Sequence, residues 1–438
     1  MARGLLGVSM RNASVALCLA LVLGACSSKQ SGDGPGADNA VSGGGGSTGV
    51  GGSGSSEPSV PSTSGNGSGV AGNGPTCPKT SPDYRCADGV ENGVACGPRR
   101  SDIKLLRAEG AVYLLEKGAG IVLRVATADG DPSVVETGGG VVQAIAVDEP
   151  YVYWASDRGL GRTRNQAGEP AELLSEPCVP SQTSGLVSDG GLLYWSSYAP
   201  SFQSAMLAFD TTQTNRRANV LFQGALGGTV LGSDAANIYA WSGEYLAMLA
   251  KNTRCHCACA ASTPGAALSC ETADGVKPTA GTAGAPSGYY EDCGGQHVSI
   301  PYRPDSAQIQ RAALDDGFFY WSSTSALSRL PKNSPDLLDP LTESPGEPTV
   351  LLARASDHEM LGAFALDGDD IYAHRMHSNA DFSNGASEIV RLAKDGSQLE
   401  SVFDNVGNPV SDLVVDDTNV YVATIDACTF TLKRFPKP

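Results

Sequence analysis

The chain has 438 residues, enough by length alone for two or three domains. Asp and Glu number 47 against 30 Lys and Arg, a formal net charge of −17. A surface of that sign repels phosphate backbones and anionic lipid, which argues against a nucleic-acid partner and against electrostatic docking to a membrane.

In chain order, the first element is an export signal over residues 1–26. Arg3 and Arg11 supply positive charge, and residues 13–23 form an apolar run too short to span a bilayer. Met10 is a second candidate start, because residues 10–26 alone make a compact signal. The run ends in Leu23-Gly24-Ala25-Cys26, which resembles the lipobox of bacterial lipoprotein precursors. The resemblance implies that the Cys26 thiol accepts lipid, and several acyl (palmitate) chains make such an anchor stable. An ordinary secretory signal cut near Ala25 is the alternative. In that family an Asp after the Cys favours the inner membrane. Ser27 and Ser28 stand here instead, which implies the outer membrane.

Residues 27–76 are almost wholly Gly, Ser, Asn, Pro, Thr and Ala. Nothing there buries enough apolar surface to offset chain entropy, so the segment reads as a disordered tether. A Gly/Ser coil of that length has a root-mean-square span of about 35–42 Å.

Residues 77–100 form a Cys-rich segment. With Cys18 in the signal and Cys26 lipidated, ten cysteines remain: Cys77, Cys86, Cys96, Cys178, Cys255, Cys257, Cys259, Cys270, Cys293 and Cys428. An even number in an exported chain suggests five disulfides. The amino-terminal group holds three and the segment 255–293 holds five, so full pairing needs at least two bridges between distant segments. The expectation is Cys428 to one of the first three, most simply Cys96, and the insert to Cys178. Cys255-His256-Cys257-Ala258-Cys259 offers soft metal ligands, but alternate spacing chelates poorly. Disulfide use is the expectation there, with no metal or cofactor.

From residue 101 to the end a repeat recurs. Asp, four residues, then Tyr appears at Asp148/Tyr153, Asp189/Tyr194, Asp234/Tyr239, Asp315/Tyr320, Asp367/Tyr372 and Asp416/Tyr421, and Ala108 replaces the Asp ahead of Tyr113. Successive Tyr anchors lie 40, 41, 45, 81, 52 and 49 residues apart. The long gap holds a Cys-rich insert over about 253–305, poor in strand signals. Each unit reads as four strands. In the clearest, 142–147 alternate as the first strand, Tyr151 to Ser156 make the second, the third surrounds Gly161 to Arg164, and the fourth surrounds Ala171 to Ser175. Asp suits the turn because it accepts backbone N–H bonds. Tyr fills the wedge between sheets and has a hydroxyl that can find a partner. Trp154, Trp195, Trp241 and Trp321 follow anchors and read as packing residues, with a sugar-binding aromatic rim as the alternative. The last unit lacks a fourth strand, and residues 89–97 are placed to supply it.

Chemistry is harder to find. No Gly-x-Ser-x-Gly elbow or His-Glu-x-x-His motif occurs. His374 and His377, near Asp381, are expected in an expanded solvated loop. Asp367-Gly368-Asp369-Asp370 and Asp129-Gly130-Asp131 lack the other ligand positions of a calcium loop and read as turns.

Periods of 40 to 50 residues with four strands each mark a propeller. The Asp-x4-Tyr turns and the Arg391-to-Gly396 echo resemble the seven-bladed β-propellers of bacterial envelopes, in the broad TolB-like and NHL-like class. The resemblance implies an all-β, seven-bladed fold of four-stranded antiparallel blades. It also implies a non-enzymatic binding or scaffold role for envelope protein or glycan partners. The chain is then expected to be monomeric, with the membrane met only through lipid. The alternative is a polysaccharide-active hydrolase or lyase with carboxylates at the channel mouth. A third reading makes the insert the recognition element.

Overall fold

The computed structural model describes residues 84–438 apart from 88–89, 99–101, 109, 118–119, 129, 167, 176–181, 199–203, 213–218, 225–228, 242–245, 252–254, 259–268, 273–298, 303–308, 333–347, 378–384, 408 and 427. The signal, Cys26, the tether, Cys77, Cys178, Cys259 and Cys293 lie outside these residues. Among the described residues every regular element is a β-strand, and no helix is long and apolar enough to cross a membrane.

The strands form seven antiparallel sheets among the described residues, six of four strands and one of six. Strand β1 (Gly93–Pro98) precedes sheet one, which holds β2 (Ile103–Ala108), β3 (Ala111–Glu116), β4 (Ile121–Ala126) and β5 (Pro132–Val135). Sheet two holds β6 (Val142–Asp148), β7 (Tyr151–Ser156), β8 (Gly159–Arg164) and β9 (Glu172–Ser175). Sheet three begins with β10 (Gln182–Asp189), β11 (Leu192–Tyr198), β12 (Ser204–Asp210) and β13 (Asn219–Gly224). Sheet four starts with β14 (Thr229–Ser233), β15 (Asn237–Trp241) and β16 (Leu246–Ala250).

The chain then leaves sheet four. Strands β17 (Cys255–Ala258) and β18 (Ser269–Thr272) form a hairpin that pairs onto β13, making sheet three six-stranded. It returns as β19 (Ser299–Tyr302), the fourth strand of sheet four. The segment expected to be strand-poor therefore contains three strands. Their backbone groups find partners on edges that the flanking sheets leave open.

Sheet five holds β20 (Arg311–Leu314), β21 (Phe318–Ser322), β22 (Ala326–Pro331) and β23 (Thr349–Ala353). Sheet six holds β24 (Glu359–Asp367), β25 (Asp370–His377), β26 (Ala386–Ala393) and β27 (Glu400–Asp404). Sheet seven holds β28 (Val410–Val415), β29 (Asn419–Ile425), β30 (Thr429–Pro436) and, as its fourth strand, β1, with Cys96 opposite Thr431.

The second strands explain the architecture. A sheet with one wet face alternates apolar and polar residues, but β3 and β29 are buried almost end to end because both faces are covered. Apolar clusters lie between consecutive sheets, and one joins sheet seven to sheet one through Tyr421, Phe430 and Leu432 against Ile103, Val112 and Leu123. The first strand of each sheet packs on the first strand of the next, β28 on β2 included. Trp154, Trp195 and Trp321 are buried, which removes them from any sugar-binding rim. Gly161 is required opposite Trp154, since a Cβ there would stand 2.0 Å from the ring.

The anchor pairs behave unequally. Asp234, Asp315 and Asp416 each accept two backbone N–H groups in their turn and the hydroxyl of their own Tyr239, Tyr320 or Tyr421. Asp148 cannot copy this turn, because Pro150 has no N–H to donate; it accepts Ser188 Oγ instead. In sheet one Ala108 has no carboxylate, and Tyr113 donates to Asn165 of sheet two.

Asn165 belongs to a second repeat. The residue after each third strand donates its N–H into its own sheet, at Thr127, Asn165, Thr211, Lys251, Lys332, Lys394 and Lys437. Four of these are lysines, and each reaches the anchor Asp of the preceding sheet: Lys251 to Asp189, Lys332 to Asp234 at 3.7 Å, Lys394 to Asp315 at 2.7 Å and Lys437 to Asp367 at 2.6 Å. Three also lie over the anchor ring, Lys332 at 4.5 Å from Tyr239. Each pair is partly shielded from water and holds neighbouring sheets together. At the last junction Arg434 donates to the Thr127 carbonyl.

The expected Cys96–Cys428 bridge is overturned. Cys96 is bonded to Cys86, ten residues upstream, with Cα atoms 4.8 Å apart. A tight turn at Val90 to Gly93 brings the two cysteines together, and Cys96 N–H donates to Tyr84 O. Cys428 is itself in a disulfide.

Candidate functional site

In a repeat fold, a copy that departs from the others at a buried position needs a separate reason. Three residues past the anchor Tyr, five sheets carry Ser156, Ser197, Ser242, Ser323 and Thr424, whereas sheet six carries Arg375 and sheet one Glu116. Two residues past it the chain offers Leu115, Ala155, Ser196, Trp241, Ser322 and Ala423, but His374 in sheet six. Sheet six thus concentrates the departures.

His374 lies within β25, not in a loop, and is buried. Its Nε2 shares a hydrogen bond of 2.9 Å with Ser387 Oγ, which donates to Gly407 O. Burial pushes the imidazole down to about 4, so the ring is neutral at neutral pH. Its Nδ1 packs where a Cβ on Gly362 would stand, 2.7 Å away. His377 is the last residue of β25, so neither histidine lies in the loop expected for them.

Around them the charges interlock. Arg375 sits between two carboxylates, 2.7 Å from Glu388 and 3.3 Å from Glu359. Glu388 also accepts His377 Nε2 at 2.8 Å and the Ser401 hydroxyl. Burial opposes ionisation of Glu388, but Ser401, His377 and Arg375 outweigh it and hold the carboxyl at about 2. Glu359, 2% exposed, accepts the Ala355 N–H at 2.5 Å. These groups tie β24, β25, β26 and β27 to the entry loop at one end of sheet six.

That end is where first strands begin, opposite the Asp–Tyr turns. Arg311, first residue of β20, passes beyond sheet six to reach sheet seven. It donates to Ser411 O at 2.5 Å and pairs with Asp412 at 3.3 Å. Asp412 also accepts Leu105 N–H of sheet one at 3.0 Å. Burial raises its carboxyl pKa against the pull of Arg311 and those N–H groups. Ser411 is the extra residue of a bulge in β28, and its hydroxyl bonds both Ile103 N and Ile103 O. Gln143, the bulge residue of β6, likewise accepts Thr183 N–H of sheet three. The bulges free a side chain to cross between sheets.

Among the site residues expected from the sequence, the anchor Asp residues lie at the opposite end, at the turns between first and second strands, the anchor Tyr residues lie within the second strands, and Cys86 and Cys96 lie in the β1 seam. Cys255, Cys257 and Cys270 lie on the β17–β18 hairpin. None joins the sheet-six cluster. The readable signal for that cluster was the substitution of His374-Arg375 for Ser, Ala or Thr at aligned positions. Among the described residues no group of three His, Cys, Asp or Glu is placed to hold a metal ion.

No family model matches the chain, and no curated protein matches it. Solved structures do. The extracellular domain of a putative hybrid two component system from B. thetaiotaomicron aligns over 81% of this chain at 11% identity, with a TM-score of 0.45. Puromycin hydrolase aligns over 78% at 15% identity and TM-score 0.42, and the calcium-binding protein regucalcin from Agrobacterium tumefaciens over 77% at 12% and 0.36. The chain spans 39% of the first of these, 53% of the second and 92% of the third.

Proposed function

We propose that the chain is a lipid-anchored envelope β-propeller of seven blades that binds protein or glycan partners without catalysing a reaction. The supporting observation is that the site carboxylates are already engaged. Glu388 is held ionised by three donors, Glu359 accepts the Ala355 N–H and faces Arg375, and Asp412, whose burial raises its carboxyl pKa, is occupied by Arg311 and the Leu105 N–H. A general acid or base must exchange protons with a substrate, and such internal pairing opposes that. Rigid polar groups at the end of a sheet stack suit recognition instead. The cyclic succession of inter-sheet cores supports seven blades. The lipobox-like Leu23-to-Cys26 supports acylation of Cys26 and an outer-membrane address.

A hydrolytic reading retains one observation in its favour, the flanking of Arg375 by two carboxylates. Both are tested with the soluble 77–438 fragment on immobilised envelope glycans. Saturable retention without new reducing ends is expected. Release of product that disappears in Glu359→Gln would replace binding with hydrolysis. For the anchor, Cys26→Ser is expected to abolish palmitate labelling and move the protein to the soluble fraction.

A further inference from the structure

The hairpin β17–β18 is an addition to sheet three supplied by sheet four. Its strands have four residues each, too short to be stable as an isolated pair. Among the described residues it pairs with sheet three at Asn219 opposite Ala258 and Val220 opposite Cys257. In its ladder Cys257 stands directly opposite Cys270, while Cys255 faces Thr272 and Ala258 faces Ser269.

We propose that Cys257 and Cys270 are joined by a disulfide that staples this hairpin. Residues directly opposite in an antiparallel ladder have Cα atoms about 4.5–5.5 Å apart, inside the window a disulfide spans. Of the three alternate cysteines at 255, 257 and 259, two lie in β17, and only Cys257 has a cysteine as its ladder partner. The cysteines with described side chains, Cys86, Cys96 and Cys428, are all oxidised. In forming the bond, one thiolate attacks an exogenous protein disulfide and the second thiolate resolves the mixed disulfide. One S–S bond forms in this chain, two S–H bonds are lost, and two electrons and two protons leave on the oxidant as a dithiol. The staple leaves Cys255, Cys259 and Cys293 as the insert's candidates for a bridge to a distant segment.

The test uses the full chain exported to an oxidising compartment, with free thiols alkylated before reduction. Cys257→Ser is expected to expose one new labelled thiol, located at Cys270, and Cys270→Ser one at Cys257. The double variant is expected to expose neither. A new label at any other cysteine overturns the pairing. Labelling of both residues in the unsubstituted protein by chelator alone, without reductant, would also overturn it, in favour of a bound metal. If a variant fails to accumulate, the unreduced, unsubstituted protein is cleaved after Leu268 and digested to peptides. Fragmentation in the mass spectrometer is expected to place a crosslink between Cys257 and Cys270, and a crosslink from either of them to another cysteine overturns the pairing.

Discussion

At the scale of single residues, the anchor Asp is worth whatever its local turn lets it hold. Asp315 holds two backbone N–H groups, a tyrosine hydroxyl and a lysine of the next sheet, and those donors overcome the cost of burial and keep its carboxyl below the usual range. Asp148 holds a serine hydroxyl. Asp315→Ala is therefore expected to cost about 2–4 kcal/mol in urea unfolding, since several partly buried donors lose their acceptor, and Asp148→Ala about 1 kcal/mol. Equal costs would show that the turns, not the partners, set the energetics. His374 gives a pH signature. Its pKa lies near 6.5 when unfolded and is lowered to about 4 when folded, so the folded chain binds fewer protons between those values. Stability is expected to be flat above pH 6.5 and to fall by roughly 3 kcal/mol as pH drops toward 4. His374→Gln should flatten that limb of the urea midpoint against pH. Glu388 acts in a lower window, its stabilisation being lost below about pH 4.5 as the carboxyl protonates. Asp-x4-Tyr could be read from the chain because its partners lie within five residues. The lysine clasps could not, because Lys251 meets an Asp 62 residues away and only the stacking of sheets brings them together.

At the scale of strands, turn residues and apolar runs placed the hairpins well, because local twist and burial on both faces leave a strong pattern. The hairpin β17–β18 escaped notice for the opposite reason. Its four-residue strands carry little apolar signal and gain their order from an edge contributed by sheet three. Gly161 is a strand-interior glycine explained by Trp154 alone. Gly161→Ala is expected to cost about 2–4 kcal/mol by forcing the indole out of its rotamer, with a loss of near-ultraviolet Trp ellipticity. Strand β1 is held by pairing and by the Cys86–Cys96 bond. Cys86→Ser is expected to cost about 2–3 kcal/mol for a loop of this length and to speed hydrogen exchange at Phe430, Thr431 and Leu432, which face β1. Unchanged exchange there would mean that the pairing alone suffices.

At the scale of the whole molecule, sheets five and seven are joined at one end by a largely buried ion pair that bypasses sheet six. Removing one partner of such a pair strands the other. Arg311→Met is expected to cost about 3–5 kcal/mol, and Arg311→Met with Asp412→Leu to recover most of it. A double variant no better than the single one would show that the Leu105 N–H and Ser411 contacts, rather than charge compensation, carry the junction.

The pairing of β1 with β30 has a mechanical side. The final strand β30 is held by β1, which precedes the first sheet in sequence, and Cys86 is welded to Cys96 inside that strand. A pull on the chain upstream of Cys86 therefore enters the sheet at Cys96, and the ten-residue span between the two sulfurs carries little of the load. Traction delivered there loads the β1–β30 pair and, through the core that Ala95 and Phe430 share with Ile103 and Leu105, sheet one together with it.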